Sequence, residues 1–137
     1  MKVLHFYKAY LPDSVGGVEQ VISQLINSTS SLGVVSEVLT LSSKIVEKTI
    51  KIDNHYVHRC RSNFEVASTP FSVSSFLKFR QLVKKADIIH YHFPYPFADL
   101  LHLLTKFNKP TVITYHSDIV KQKHLLVLYN LIMNKFI

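Results

Sequence analysis

Several things are scarce in these 137 residues, and each scarcity excludes something. One cysteine, Cys60, rules out an internal disulfide and fits a reducing compartment. Set between Arg59 and Arg61, it reads as an ordinary strand residue rather than a thiolate nucleophile. No apolar run reaches the roughly 18 residues needed to span a bilayer. Met1-Lys2 leads directly into a strand-like run, with no basic n-region, apolar h-region and cleavage site, so a cytoplasmic location is expected. The compact catalytic signatures are missing too. There is no GxGxxG, no P-loop lysine, no GxSxG elbow and no HExxH helix.

Acidic residues are few: nine against sixteen Lys and Arg, a net charge of +7. The excess lies in the second half, since residues 1–68 carry +1 and residues 69–137 carry +6. That asymmetry suits an anionic partner such as a phosphorylated substrate or acidic lipid head groups. Nucleic acid fits poorly, because the basic residues are not interleaved with exposed aromatics in a recognition motif. The chain is 47% hydrophobic, which argues against disorder and for one domain with a single core.

What is present alternates between strand and helix patterns. Residues 2–7 (KVLHFY) read as a first strand. A turn-rich loop with Pro12, Asp13 and Ser14 follows, ending in Gly16-Gly17. From Val18, the spacing of Val21, Ile22, Leu25 and Ile26 predicts an amphipathic helix, with Glu19 in its first turn and Gly33 as its stop. Residues 34–41 (VVSEVLTL) predict a second strand, completing a βαβ unit. Residues 45–52, 56–60 and 64–67 suggest shorter extended pieces, with His55 and His58 as surface residues. Ser72 or Ser74 would cap a basic helix ending near Lys85, with Val73, Phe76, Leu77 and Val83 inward and Lys78, Arg80, Lys84 and Lys85 outward. Such a helix could lie on an anionic membrane surface or simply face water.

The central stretch is residues 87–100, DIIHYHFPYPFADL. Asp87 to His90 predict a buried strand that Pro94 and Pro96 terminate, and a helix resumes over residues 97–107. Residues 111–115 (TVITY) predict a further strand ending at His116-Ser117-Asp118. If the strands are parallel neighbours, His90, His92 and His116 gather at the edge where Gly16-Gly17 also sits, the edge at which open α/β sheets bind ligands. Free amides beside a glycine pair at a helix start suit phosphate oxygens, although the same pair also makes a plain tight turn. His90 and His92 with His116 and Asp118 form a conceivable zinc set, without a Cys or Glu companion to support it. Leu125 to Ile137 is apolar on nearly every face, as in a helix that is buried, oligomeric or membrane-contacting.

Three motifs in this order, Gly16-Gly17-Val18-Glu19, residues 87–94 (DIIHYHFP) and residues 110–118 (PTVITYHSD), resemble the N-terminal domain of glycosyltransferase family 4. The resemblance runs from Met1 to about Lys123. It implies an α/β fold: a Rossmann-like parallel sheet flanked by helices, the N-terminal half of a GT-B enzyme, occupying residues 1–137 without the C-terminal donor domain. The implied activity is retaining hexosyl transfer, mannosyl- or rhamnosyltransferase-like, from a nucleotide sugar to a saccharide or lipid-linked acceptor in surface-polysaccharide synthesis. It further implies that Gly16 and Gly17 meet the donor diphosphate, that His116 is the catalytic contact to the transferred sugar, and that His92, Phe93, Asp118 and Lys121 line the acceptor side. No metal or other cofactor is required, the nucleotide sugar being a substrate. Without a donor domain the chain is expected not to transfer sugar alone. A half-domain that binds a partner chain, or a histidine-based metal hydrolase, are the alternative classes.

Overall fold

The computed structural model describes residues 1–44, 48–66, 68–117, 130–131 and 133–135. The elements run β1 (Lys2–Phe6), α1 (Gly17–Ser30), β2 (Val35–Ser42), β3 (Thr49–Ile52), β4 (His55–Arg61), β5 (Phe64–Val66), β6 (Thr69–Phe71), α2 (Val73–Lys85), β7 (Ile88–Phe93), α3 (Pro96–Thr105) and β8 (Thr111–Tyr115). Six strands form one sheet in the order β3-β4-β2-β1-β7-β8, while β5 and β6 form a separate hairpin. All pairings in the large sheet are parallel except that of the edge strand β3 with β4. This is the α/β, Rossmann-like arrangement expected from the alternating patterns.

The apolar pattern explains the layers. Leu4 and Phe6 in β1, Leu39 and Leu41 in β2, and Ile89 and Tyr91 in β7 share one sheet face, as the strand registers require. α2 covers that face. Phe79, with no exposed surface, packs at 5.3 Å from Phe6 and 6.4 Å from Tyr91, ring centre to ring centre. α3 lies on the same side, where Tyr91 Oη pairs with His102 Nδ1 at 3.0 Å. α1 lies on the other face. Tyr10, bonded to Ser23 of α1, also meets His55 Nε2 at 3.1 Å, and His55 shares its face with Val57, Val38 and His5. Right-handed crossovers produce this division, since β1 connects to β2 on one side and β7 connects to β8 on the other. The crevice between the carboxyl ends of β1 and β7 is therefore the topological switch point.

The structure moves several expected features. α2 begins as expected with Ser72 as its N-cap, whose Oγ accepts the Ser75 amide at 3.2 Å. Its buried stripe, however, is Ser75, Phe79, Leu82 and Val83, while Val73 and Leu77 are exposed by 74% and 62%. The aromatic Phe79 had more surface to bury than either aliphatic residue, and it set the rotation of the helix. His55 and His58 are not surface residues. Both are buried, His55 against Tyr10, and His58 with Nε2 2.6 Å from Glu37 Oε2 and Nδ1 3.1 Å from Thr49 Oγ1. β7 does not stop at His90 but continues through Phe93, because β8 pairs with it as far as Tyr115 and the residue before a proline favours extended backbone. β6 was not foreseen, and the expected strand start at 45 lies outside the described residues.

Candidate functional site

The site is assembled at the carboxyl edge of the sheet, on the face that carries α1. His5 of β1 lies beside His90 of β7, and Val112 of β8 lies beside His90 in turn. Alternation along β7 puts His92 on the same face as His90, and His116 continues that face one residue past β8. Four imidazoles thus form a layer. Ring centres are 4.9 Å apart for His5 and His90, 4.4 Å for His90 and His92, and 5.3 Å for His92 and His116. Hydrogen bonds connect them: His5 Nδ1 to His92 Nε2 at 3.1 Å, and His92 Nδ1 to His116 Nε2 at 3.0 Å. His90 Nε2 pairs instead with Thr114 Oγ1 at 2.7 Å. The His116 amide donates to the Phe93 carbonyl at 3.1 Å, which ties the end of β8 to the end of β7.

Burial makes these imidazoles neutral. Desolvation, aided by the neighbouring rings, pushes His5 down to about 3, His90 to about 4 and His92 to about 2. His116 is lowered as well, by burial, although it is the most open of the four. Three of the rings, those of His5, His90 and His92, place one nitrogen each within 4.8 Å of the others, and neutral imidazole is the ligating form. A cation there would compete with the hydrogen bonds that already engage both ring nitrogens of His92.

The structure divides the remaining expected site residues. Gly17 opens α1, and Gly16 is its N-cap. A Cβ added at Gly17 would meet nothing within 4 Å, so nothing in the chain's own packing requires glycine there. Gly16 is different: its Cβ would fall 2.6 Å from Glu19 Oε2. Glu19 is buried, turns back over the helix start, and accepts a 2.5 Å hydrogen bond from Ser14 Oγ. His92 and Phe93 are only 1% and 2% exposed and belong to β7 rather than to a loop, so neither offers its side chain to an acceptor in this conformation. Asp118 and Lys121 lie outside the described residues. β1 and β8 are separated by one strand, which puts their carboxyl ends roughly 10 Å apart.

Two features were missed in the sequence. His5, in the first strand, looked like any half-buried strand residue. Only its register with His90 brings it into the layer. The second is a cavity of about 330 Å³ at the ends of β1 and β2, lined among others by Lys8, Ser14, Ser42, Lys44, Ser62 and Glu65. The serine content of these loops was its one sequence signal.

A mostly parallel sheet with helices on both faces, and a histidine-lined edge at its switch point, makes this a Rossmann-like α/β domain. Comparison with known proteins agrees: the family model for Glycosyltransferase Family 4 matches residues 15–137, and the chain belongs to that family. Over its whole length it is 53% identical to D-rhamnosyltransferase WbpZ of Pseudomonas aeruginosa and 45% identical to O-antigen chain mannosyltransferase C of Escherichia coli. It spans 36% and 37% of those two proteins, about a third of each. Sucrose-phosphate synthase from Thermosynechococcus elongatus shares the fold, with a TM-score of 0.65 at 15% identity, over 98% of this chain and 39% of that one.

Proposed function

We propose that these residues form the acceptor-side domain of a retaining hexosyltransferase, rhamnosyl- or mannosyl-specific, that acts in surface-polysaccharide synthesis. The observation behind this reading is that α1 starts after β1 and His116 follows β8 at the same carboxyl edge of the sheet, with only β7 between the two strands. Transfer from a nucleotide sugar builds negative charge on the leaving diphosphate. The amides at Gly17 and the positive end of α1 suit that charge, and they supply it without a metal ion. His116, neutral and tied at its amide to β7, is suited to position the transferred sugar rather than to remove a proton. The cavity at the ends of β1 and β2, of mixed lining, is suited to the acceptor saccharide, its serine hydroxyls and lysines matching a polyol. His92 and Phe93 then act from behind the site, as supports for His116 and for the β7 end.

Attachment to an anionic membrane surface belongs to the same reading. The exposed stripe of α2 holds Val73, Leu77, Arg80, Lys84 and Lys85, two apolar residues followed by three cations. A lipid-linked acceptor would be presented at such a surface.

The test is a chimera in which these 137 residues replace the matching third of the Pseudomonas relative. Hexose transfer from a nucleotide sugar to a lipid-linked saccharide should persist. His116→Ala should lower turnover by about 100-fold, the scale of lost positioning, with the chimera still folded and its unfolding midpoint lowered only by the lost hydrogen bond to His92. Full turnover in His116→Ala would refute the role. A correctly folded chimera without transfer would favour a non-catalytic half-domain that acts with a partner chain.

A further inference from the structure

The hairpin of β5 and β6 has two unlike faces. Phe64 pairs with Phe71, Glu65 with Pro70 and Val66 with Thr69, so alternation sets Phe64 and Val66 on one face and Glu65 with Pro70 on the other. The second face is a wall of the cavity of about 330 Å³, which Glu65, Ser68 and Pro70 help to line. Lys8, also in that lining, donates from Nζ to the Ser68 carbonyl at 3.3 Å and so braces the hairpin turn against the end of β1. The first face is open. Phe64 lies flat on Phe71, ring centres 5.1 Å apart and planes 10° apart, and Phe71 lies in turn against Phe97 of α3 at 5.0 Å. Phe64 nonetheless leaves 57% of its surface in water, and Val66 leaves 49%.

The hairpin is fastened to the domain. The Tyr95 hydroxyl donates to the Pro70 carbonyl at 3.0 Å, and Asn63 Oδ1 accepts the Val73 amide at 2.8 Å. The second bond puts the open apolar face beside the start of α2, where Val73 and Leu77 are exposed as well. Charge decides what can cover this surface. From Val66 to Ala86 the chain carries four Lys and Arg and no Asp or Glu, and Arg80, Lys84 and Lys85 all face water. An apolar edge backed by cations alone fits a layer that offers hydrocarbon and negative charge together, as an anionic bilayer does.

We propose that the β5–β6 hairpin is a membrane-inserting threshold of the acceptor cavity. Phe64 and Val66 enter the boundary between head groups and acyl chains, Arg80, Lys84 and Lys85 rest among the head groups, and the opposite face of the same hairpin meets the sugar of a lipid-linked acceptor. One layer of strand then separates lipid from cavity, so the saccharide reaches Lys8 and Ser68 while its lipid stays in the bilayer. The acceptor part of this inference rests on the transferase reading, but the membrane contact does not.

The chain has no tryptophan, so Phe64→Trp supplies a single reporter. On vesicles of phosphatidylglycerol and phosphatidylethanolamine its emission should move to the blue, and lipid carrying a nitroxide on the upper acyl chain should quench it. Tyr56→Trp, half-exposed at the amino end of β4, should show neither effect. Phe64→Ser with Val66→Ser should weaken vesicle binding by about tenfold, the scale of withdrawing one half-exposed aromatic ring from hydrocarbon. If that pair fails to fold, the tryptophan spectra and Val66→Ser alone, at about threefold, decide. Vesicles that sediment the chain yet leave the Phe64→Trp emission unchanged would overturn the proposal, as would a chain that does not bind them. So would an emission that moves to the blue without lipid: with rising protein concentration it would assign the face to a second copy of the chain, and in the chimera alone to the remainder of the relative. Insertion by a chimera that transfers no sugar would keep the membrane contact and sink the transferase reading. A chimera carrying both serines that transfers to a lipid-linked acceptor in vesicles as fast as its parent would sink the threshold and leave the transferase reading standing.

Discussion

Acid should unfold this protein by way of its histidine layer. His5 and His92 are held neutral in the folded state, at about 3 and about 2 against an ordinary value of 6.5. In the unfolded chain both take up protons as pH falls through 6.5, so the unfolded state binds more protons and stability falls with falling pH. The contribution is fully present above pH 6.5 and is lost as pH drops toward the folded values. Two such groups give a slope approaching roughly 2.7 kcal/mol per pH unit below the ordinary value, or about 4 kcal/mol between pH 7.5 and 5. His90, lowered to about 4, acts in the same direction, as do His55, His58, His102 and His116. A loss of that size is a large part of the roughly 5–15 kcal/mol that holds an ordinary domain. Urea titrations followed by tyrosine fluorescence, with seven Tyr and no Trp to obscure them, should show it between pH 7.5 and 5. His92→Gln, which does not titrate, should flatten the dependence. Stabilities at the two pH values agreeing within about 1 kcal/mol would refute the picture of a neutral buried layer.

Gly17→Ala should leave the fold intact or raise its stability by up to about 1 kcal/mol, because the added methyl meets open space at a helix start. The same change should weaken binding of pyrophosphate by the chain, measured by calorimetry; unchanged binding would move the diphosphate elsewhere. Chelation by EDTA should not alter hexose transfer by the chimera, and a loss restored by a divalent ion would contradict the proposed stabilisation by backbone amides. Vesicles rich in anionic lipid should co-sediment the chain at low salt and release it as salt rises. Arg80→Glu with Lys84→Glu should abolish that co-sedimentation if α2 is the contact, without changing the unfolding midpoint.

The fold was legible where pattern and chemistry coincided. The helical spacing of Ile22 and Ile26 behind a glycine pair, and the β-branched run at 111–115, each specify one element whatever surrounds them. What escaped was decided by pairing across the sheet. β7 runs three residues past His90, through His92 to Phe93, because β8 supplies partners there, and no local signal carries that information. His5 joins the site through register alone, standing 85 positions before His90 in the chain. His55 and His58 read as surface polar residues because their partners, Tyr10 and Glu37, come from other elements. The rotation of α2 turned on Phe79, whose cavity is shaped by Phe6 and Tyr91 of two different strands. The strand pattern, read as parallel neighbours, put Gly16, Gly17 and His116 at one edge, as the strand order does, while the family resemblance gave no warning that His92 and Phe93 are enclosed.

Glu19 turns the mouth of α1 into a plugged socket. Its carboxylate rests where the hydrogen of Gly16 alone leaves room, tethered by Ser14, and an arriving anion must evict it or share the opening with it. Affinity for negative charge at that mouth is therefore adjustable through the close fit of Glu19 against Gly16. A methyl at residue 16 would drive the plug outward and leave the socket vacant, so Gly16→Ala should hold pyrophosphate more tightly than the parent chain does.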